Sequence, residues 1–190
     1  MLQSLQRSPL PPKSIDEATD TVLRICVQLQ FMKAEQQLIE LATSADARVI
    51  ADLSRDLIEH GLGWSWTAPR VLKALRDDAT NVIVARRHHC MDDVAGFAIM
   101  KYGDDIAHIV LFAVDAAYRR CGIGSALMVW LEATARTAGV NAIQLEARSS
   151  NAEARAFYGQ VGFNEIGVRL SYYRGVEDAV RFEKSLLTES

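Results

Sequence analysis

The sequence predicts one mixed α/β domain, and three observations carry that prediction. An almost wholly apolar run, residues 108–114, reads as a central strand buried on both faces. A glycine-bearing loop and a helical stripe follow it at once, the order of a strand-to-helix unit. Two β-rich segments, residues 81–87 and 94–102, flank a short polar separator in the manner of a hairpin.

Taken in order, residues 1–13 form a proline-broken lead with Pro9, Pro11 and Pro12. Ser14 stands where an N-cap would, and Ala18, Val22, Ile25, Cys26, Leu29 and Met32 give residues 15–34 a helical stripe. Its β-rich centre, residues 22–27, leaves a strand open as the alternative. Residues 1–36 are therefore expected as a partly helical extension, and residues 37–190 as the domain itself. Residues 37–42 suit a strand. Ser44 and Asp46 offer cap oxygens for a helix through His60, with Val49, Ile50, Leu53, Leu57 and Ile58 on one face. Gly61 and Gly63 break the chain, and Pro69 opens a further helix to about Arg76.

The separator His88-His89-Cys90-Met91-Asp92-Asp93 reads as a hairpin loop and not as a metal centre. Gly103-Asp104-Asp105 marks the next turn. Beyond the central strand, residues 122–138 read as a helix with Ile123, Leu127, Leu131 and Thr134 along one side, closed by Gly139. Residues 142–147 suit a strand and residues 151–160 a helix with Ala154, Phe157, Tyr158 and Val161 toward the core. Residues 163–169 and 179–186 read as closing strands.

Composition narrows the function classes. The chain has 190 residues, 49% hydrophobic and 24% charged, with a net charge of −3. A protein that tracks phosphate backbones gains affinity from basic excess, so general nucleic-acid binding is not expected. No apolar run approaches the roughly 20 residues of a membrane helix, and the polar start lacks a secretory core. The three cysteines, Cys26, Cys90 and Cys121, are widely spaced, as expected for reduced thiols in a cytoplasmic protein.

The loop Arg119-Arg120-Cys121-Gly122-Ile123-Gly124-Ser125 has the chemistry of an anion cradle. It leaves the carboxyl end of a buried strand, where open α/β sheets bind ligands. Its glycines admit a close backbone approach, its helix presents free N–H groups, and its arginines add charge. It lacks the third glycine of a dinucleotide fingerprint and the lysine of a P-loop. By itself it also reads as a tight turn with surface arginines.

Arg119-x-x-Gly122-x-Gly124, preceded by Val114-Asp115-x-x-Tyr118, resembles the acetyl-CoA-binding signature of the GNAT acetyltransferase superfamily. Asn151-x-x-Ala154-x-x-Phe157-Tyr158-x-x-x-Gly162-Phe163 resembles its later helix-turn signature, and the likeness runs from about residue 37 to 187. The resemblance implies a mixed, mostly antiparallel sheet with flanking helices and a splayed strand pair that receives CoA. It implies acetyl-CoA as co-substrate, no metal, and a primary amine as acceptor. Phe112, Ala113 and Val114 would then pair with the pantetheine arm, residues 119–125 would hold the pyrophosphate, and Asn151 would assist. Tyr158 matches the family's acid at the leaving thiolate and also counts among the cofactor-binding residues.

Leu145-Glu146-x-Arg148 before Asn151, and Tyr172-Tyr173-Arg174-Gly175-Val176-Glu177-Asp178-Ala179, are similar to the subgroup that acetylates N-terminal alanine of ribosomal proteins. There Glu146 would be the base; its alternative reading is a strand-end partner of Arg148, and water is the alternative proton acceptor. Residues 172–178 are expected as a mobile loop. Trp64 and Trp66 would flank an acceptor or pack. The acceptor stays open between a protein α-amine, a lysine and a small amine, beside a non-catalytic acyl-CoA-binding module. A homodimer through residues 14–33 is a further expectation.

Overall fold

The computed structural model describes residues 37–87 and 90–187. The expected helix over residues 15–34 lies outside them. The strands are β1 (Gln37–Leu41), β2 (Thr80–Arg87), β3 (Cys90–Tyr102), β4 (Ile106–Val114), β5 (Ala142–Arg148), β6 (Asn164–Tyr173) and β7 (Glu177–Ser185). The α-helices are α1 (Ala47–Leu53), α2 (Ala68–Ala74), α3 (Ile123–Thr137) and α4 (Ala152–Gln160). One sheet runs in the order β1-β2-β3-β4-β5-β7-β6, and only β4 and β5 pair in parallel.

Each sheet face is covered for a legible reason. Helix α3 sets Ile123, Leu127, Leu131 and Ala135 on one stripe, which packs with Ile109, Ile143, Leu145 and Phe182. On the other face Ile50 of α1 and Val71 of α2 pack with Val82, Val84, Phe97, Ile99 and Leu111. Each such fully buried side chain contributes about 1.5–3 kcal/mol relative to exposure.

Strand β4 departs from the sequence reading. Instead of being buried throughout, it alternates buried Ala107, Ile109, Leu111 and Ala113 with half-open His108, Val110, Phe112 and Val114. Ile109 belongs to the α3 face and Leu111 to the α1 face, although residues two apart should share a face. The register explains this: Ile99 pairs with Leu111 and Met100 with Ile109, leaving Val110 as an extra, bulged residue. A bulge bends and twists its strand. Pairing with β5 ends at this point, at Ile109 opposite Leu145, while β4 runs on to Val114 and β5 to Arg148. The two strands therefore leave a free edge on β4, as expected of a splayed pair.

Three other expectations need correction. The segment 44–60 is not one α-helix: a 3₁₀ turn Ser44–Asp46 leads into α1, and a wide π turn, Ser54–Ile58, follows it. Glu59 collects the chain there, as described below. The separator 88–93 is shorter than expected, since Cys90 already pairs with Arg87 and β3 includes residues 90–93. Tyr172 and Tyr173 lie in β6, and Glu177 opens β7, so only residues 174–176 form the connection. The pairing of Tyr173 with Glu177 supplies the backbone bonds that a loop would lack.

Candidate active site

The anion cradle starts with a 3₁₀ turn, Ala116–Tyr118, capped by Asp115, whose Oδ1 accepts from the Ala117 N–H at 2.8 Å. Arg120 and Gly122 then take positive φ, 63° and 83°, to swing the chain into α3. That is the conformation glycine enters without strain. The first helical bond of α3 runs from the Ala126 N–H to the Gly122 carbonyl at 3.0 Å. The N–H groups of Ile123, Gly124 and Ser125 precede it and form the positive end of the helix.

The remaining expected cofactor residues divide by task. Ile123 is buried, so its side chain serves the core and its N–H the cradle. Arg120, Cys121, Gly122 and Ser125 are exposed along the loop. Arg119 is partly committed: its Nη1 lies 3.3 Å from Glu153 of α4 and its Nε donates to the Val114 carbonyl at 3.4 Å. Asn151 is an N-cap, accepting from the Ala154 N–H at 3.0 Å. Gly124 differs from its sequence reading. A Cβ there would meet Phe157 at 3.1 Å and Val114 at 3.8 Å, so the missing side chain lets α3 settle onto α4 and the end of β4. Phe112 stacks on Phe157 at 5.7 Å, and Ala113 is buried on the opposite face.

At the apex of the splay the polar groups gather. Tyr158 is buried among Phe112, Phe157, Phe163 and Phe182, all with ring centroids within 6.2 Å. Burial, and then the nearby Tyr173, push its hydroxyl above the ordinary phenol range. Tyr173 is also raised by burial, and its hydroxyl donates to the Glu146 carbonyl at 3.4 Å. The Glu146 side chain is only 6% exposed. Its Oε2 meets His108 Nε2 at 2.6 Å, while its Oε1 faces Arg169 at 3.5 Å and Arg181 at 3.7 Å. Burial alone would raise its pKa, but the hydrogen bond to His108 and the neighbouring Arg169 and Arg181 guanidinium groups outweigh it and hold the carboxyl below the usual range. The expected Glu146–Arg148 pair is absent from this arrangement. Arg148 instead bonds Glu177 at 3.4 Å and the carbonyls of Ile58 and His60 at 2.8 and 2.7 Å.

These bonds bring the loop after α1 over the end of β5. Glu59 organises that loop, accepting from the N–H groups of Ser65 and Trp66 at 2.8 and 2.9 Å and from the Ser65 and Ser54 hydroxyls. Trp66 is buried beneath Arg70, whereas Trp64 is 42% exposed. Arg174, at the tip between β6 and β7, comes within 3.3 Å of the position a Cβ on Gly63 would take. The two loops thus border one side of the splay, opposite α3 and α4.

Known proteins agree with this geometry. Residues 37–163 match the Acetyltransferase (GNAT) family. The chain belongs to that family. Over 92 residues it is 41% identical to a [Ribosomal protein bS18]-alanine N-acetyltransferase of Salmonella typhimurium, covering 47% of this chain and 62% of that relative. The aligned segment therefore spans about three fifths of that relative's length. The crystal structure of the ribosomal-protein-S18-alanine N-acetyltransferase from Escherichia coli superposes with a TM-score of 0.68 at 27% identity, over 81% of this chain and 96% of that one. Ard1 from Thermoplasma volcanium gives a TM-score of 0.69 at 26% identity, over 80% and 99%.

Within this GNAT domain, sequence reasoning overlooked His108, Arg169 and Arg181. His108 opens an otherwise apolar run in the sequence, yet it is the one titratable side chain in β4. That isolation was the available signal. Arg169 and Arg181 carried none, because only the β5–β7 and β6–β7 registers bring them beside Glu146. No helix among the described residues is long and apolar enough to cross a membrane.

Proposed function

We propose that the protein transfers an acetyl group from acetyl-CoA to a primary amine, with the α-amine of a protein or peptide as the acceptor class. The observation that supports it most is the shared gap: the β4 edge freed at Ile109 leads from the helix N-terminus of α3 to Tyr158, Tyr173 and Glu146. From Ile109 to Val114 the strand extends about 17 Å, at roughly 3.4 Å per residue, with its β5-facing edge unpaired beyond Ile109. An extended amide-bearing arm can pair with such an edge as an added strand.

The residues present fit acetyl-CoA. The N–H groups of Ile123, Gly124 and Ser125, with Arg120 nearby, suit its pyrophosphate. Phe112 and Val114 offer apolar contact along the arm. Acetyl-CoA supplies the activated thioester. The protein's own groups position the amine, remove its surplus proton and steady the departing sulfur. Tyr158 is a hydrogen-bond donor rather than a full acid in this scheme. Even an ordinary phenol gives its proton to a thiolate uphill by roughly 2 kcal/mol, and burial raises that cost. A backbone N–H on the β4 edge beyond Ile109, where pairing with β5 has ended, suits the developing oxyanion.

The N-terminal acceptor is supported by the relatives named as alanine N-acetyltransferases and by the border of Trp64, Arg174 and Tyr173 on the side away from α3. Action in the cytoplasm follows from an acceptor of the ribosomal-protein kind. The test is a panel of peptides beginning with alanine, serine or methionine, the same peptides with a blocked α-amine, lysine-bearing peptides and small polyamines. Mass gain of one acetyl group on free α-amines alone is expected. Acetylation of small amines with no peptide modified would reject the acceptor class.

A further inference from the structure

Glu146 occupies the place expected of a base, but its surroundings suit another task. Both of its oxygens are engaged, Oε2 by His108 at 2.6 Å and Oε1 by Arg169 and Arg181 at 3.5 and 3.7 Å. A base needs a lone pair that faces its substrate. His108 has one available. With Nε2 donating to Glu146, the neutral ring keeps Nδ1 as an acceptor, and Nδ1 makes no hydrogen bond to any described residue. Its side chain is 37% exposed against 6% for Glu146.

We propose that His108 takes the proton from the attacking amine, and that Glu146 orients the imidazole and steadies its cationic form. The inference rests on the acetyl-transfer reading above and names the proton acceptor for that reaction. His108 immediately precedes Ile109, the last β4 residue paired with β5, so it stands at the apex of the splay. It shares the sheet side of Glu146 and Arg181, away from the α3 face where Ile109 and Leu145 are packed. This is the side bordered by the Trp64 loop and Arg174.

The charged neighbours are compatible with the role. Lys101, its partner on β3, turns to Asp77 at 3.7 Å. Gln144, its partner on β5, donates to Glu183 at 2.6 Å and accepts from Arg181 at 3.2 Å. From β6, Arg169 faces Glu146, and Tyr172 and Tyr173 both feel its charge. No charged side chain of the turn after α1 has a described contact with the pair. The carboxylate–imidazole couple follows the logic by which a buried acid fixes a histidine's tautomer and stabilises its protonated form.

The step balances. The amine nitrogen bonds to the thioester carbonyl carbon, and the carbon–sulfur bond breaks. CoA leaves as its thiolate beside the Tyr158 hydroxyl. The surplus proton on nitrogen passes to His108 Nδ1 and from there to water.

The experiment compares wild type with His108→Gln, His108→Ala and Glu146→Gln, using acetyl-CoA and an alanine-starting peptide. Thiol release is read across pH 6 to 10, with and without added imidazole, and acetyl-CoA Kd is measured by calorimetry for each. His108→Gln keeps a donor for Glu146 but has no basic lone pair. It should lower kcat by about 10²–10⁴-fold while acetyl-CoA Kd stays within about twofold. The rising limb of its pH–kcat profile should move to higher pH, where the amine loses its proton unaided. Imidazole should restore His108→Ala in proportion to its neutral fraction and should not restore Glu146→Gln. A His108→Gln enzyme with wild-type kcat, or a His108→Ala deficit untouched by imidazole, would overturn the assignment. Wild type that releases no thiol with any amine would instead overturn the acetyl-transfer reading beneath it.

Discussion

Gly124 gives the sharpest mutational prediction because two opposed effects can be weighed at one atom. Alanine in a helix gains about 0.5–1 kcal/mol over glycine from backbone entropy. Here the new Cβ would stand 3.1 Å from Phe157 Cζ and 3.2 Å from its Cε2. Phe157 cannot retreat freely, since its ring is held by Phe112 at 5.7 Å and Tyr158 at 5.5 Å. Overpacking of this kind costs typically 1–3 kcal/mol, so the steric effect outweighs the gain by up to about 2.5 kcal/mol. In a chain of this length that lowers Tm by up to roughly 10 °C. The same displacement moves the N–H groups at the start of α3 away from the pyrophosphate. A loss of about 1.4 kcal/mol there is a tenfold rise in acetyl-CoA Kd. Thermal melts and calorimetric titration of Gly124→Ala and Gly124→Val should show a graded loss of both, larger for valine. A Gly124→Ala protein with raised Tm and unchanged Kd would refute the close approach of α3, α4 and β4.

Tyr158→Phe should lower kcat at least tenfold and leave both Tm and acetyl-CoA Kd nearly unchanged, because the hydroxyl bonds no described residue; parallel loss of affinity and rate would mark a structural role. Glu146 carries a pH signature with a definite sign. Its carboxyl is held below the ordinary 4.5, so its contribution to stability is present above that value and fades as pH falls through the lower folded value. Glu146→Gln should therefore flatten the acid limb of a stability–pH curve, and an unchanged limb would contradict the described cluster. Glu59→Gln should raise the KM for peptide acceptors several-fold with acetyl-CoA Kd unchanged, measured by steady-state kinetics, since it loosens the Ser65–Trp66 loop rather than the cradle.

What could be read from the chain before folding depended on whether the signal was local. The cradle was legible because its arginines, Gly122 and the following helix are contiguous, and Asn151 to Phe163 is a contiguous signature as well. Helix α3 was legible from the spacing of Ile123, Leu127 and Leu131, all of which are buried. The bulge at Val110 was not, because it exists only in the register of β4 against β3. It changed the meaning of residues 108–114 from a wholly covered strand to one with an open side. Gly124 likewise suggests, from sequence alone, room for an anion, whereas the atoms it makes room for belong to Phe157, 33 residues further along. Glu146 was found as a carboxylate at the right strand end, but its partners come from β4, β6 and β7 and only meet through the sheet order.

The most direct test of the central claim is to titrate acetyl-CoA into isotope-labelled protein and follow the backbone amides. Saturable shifts concentrated at residues 110–114 and 120–126, on the free edge of β4 and the start of α3, are the predicted result. Absence of binding at millimolar acetyl-CoA, or saturable shifts confined to other strands, would contradict it.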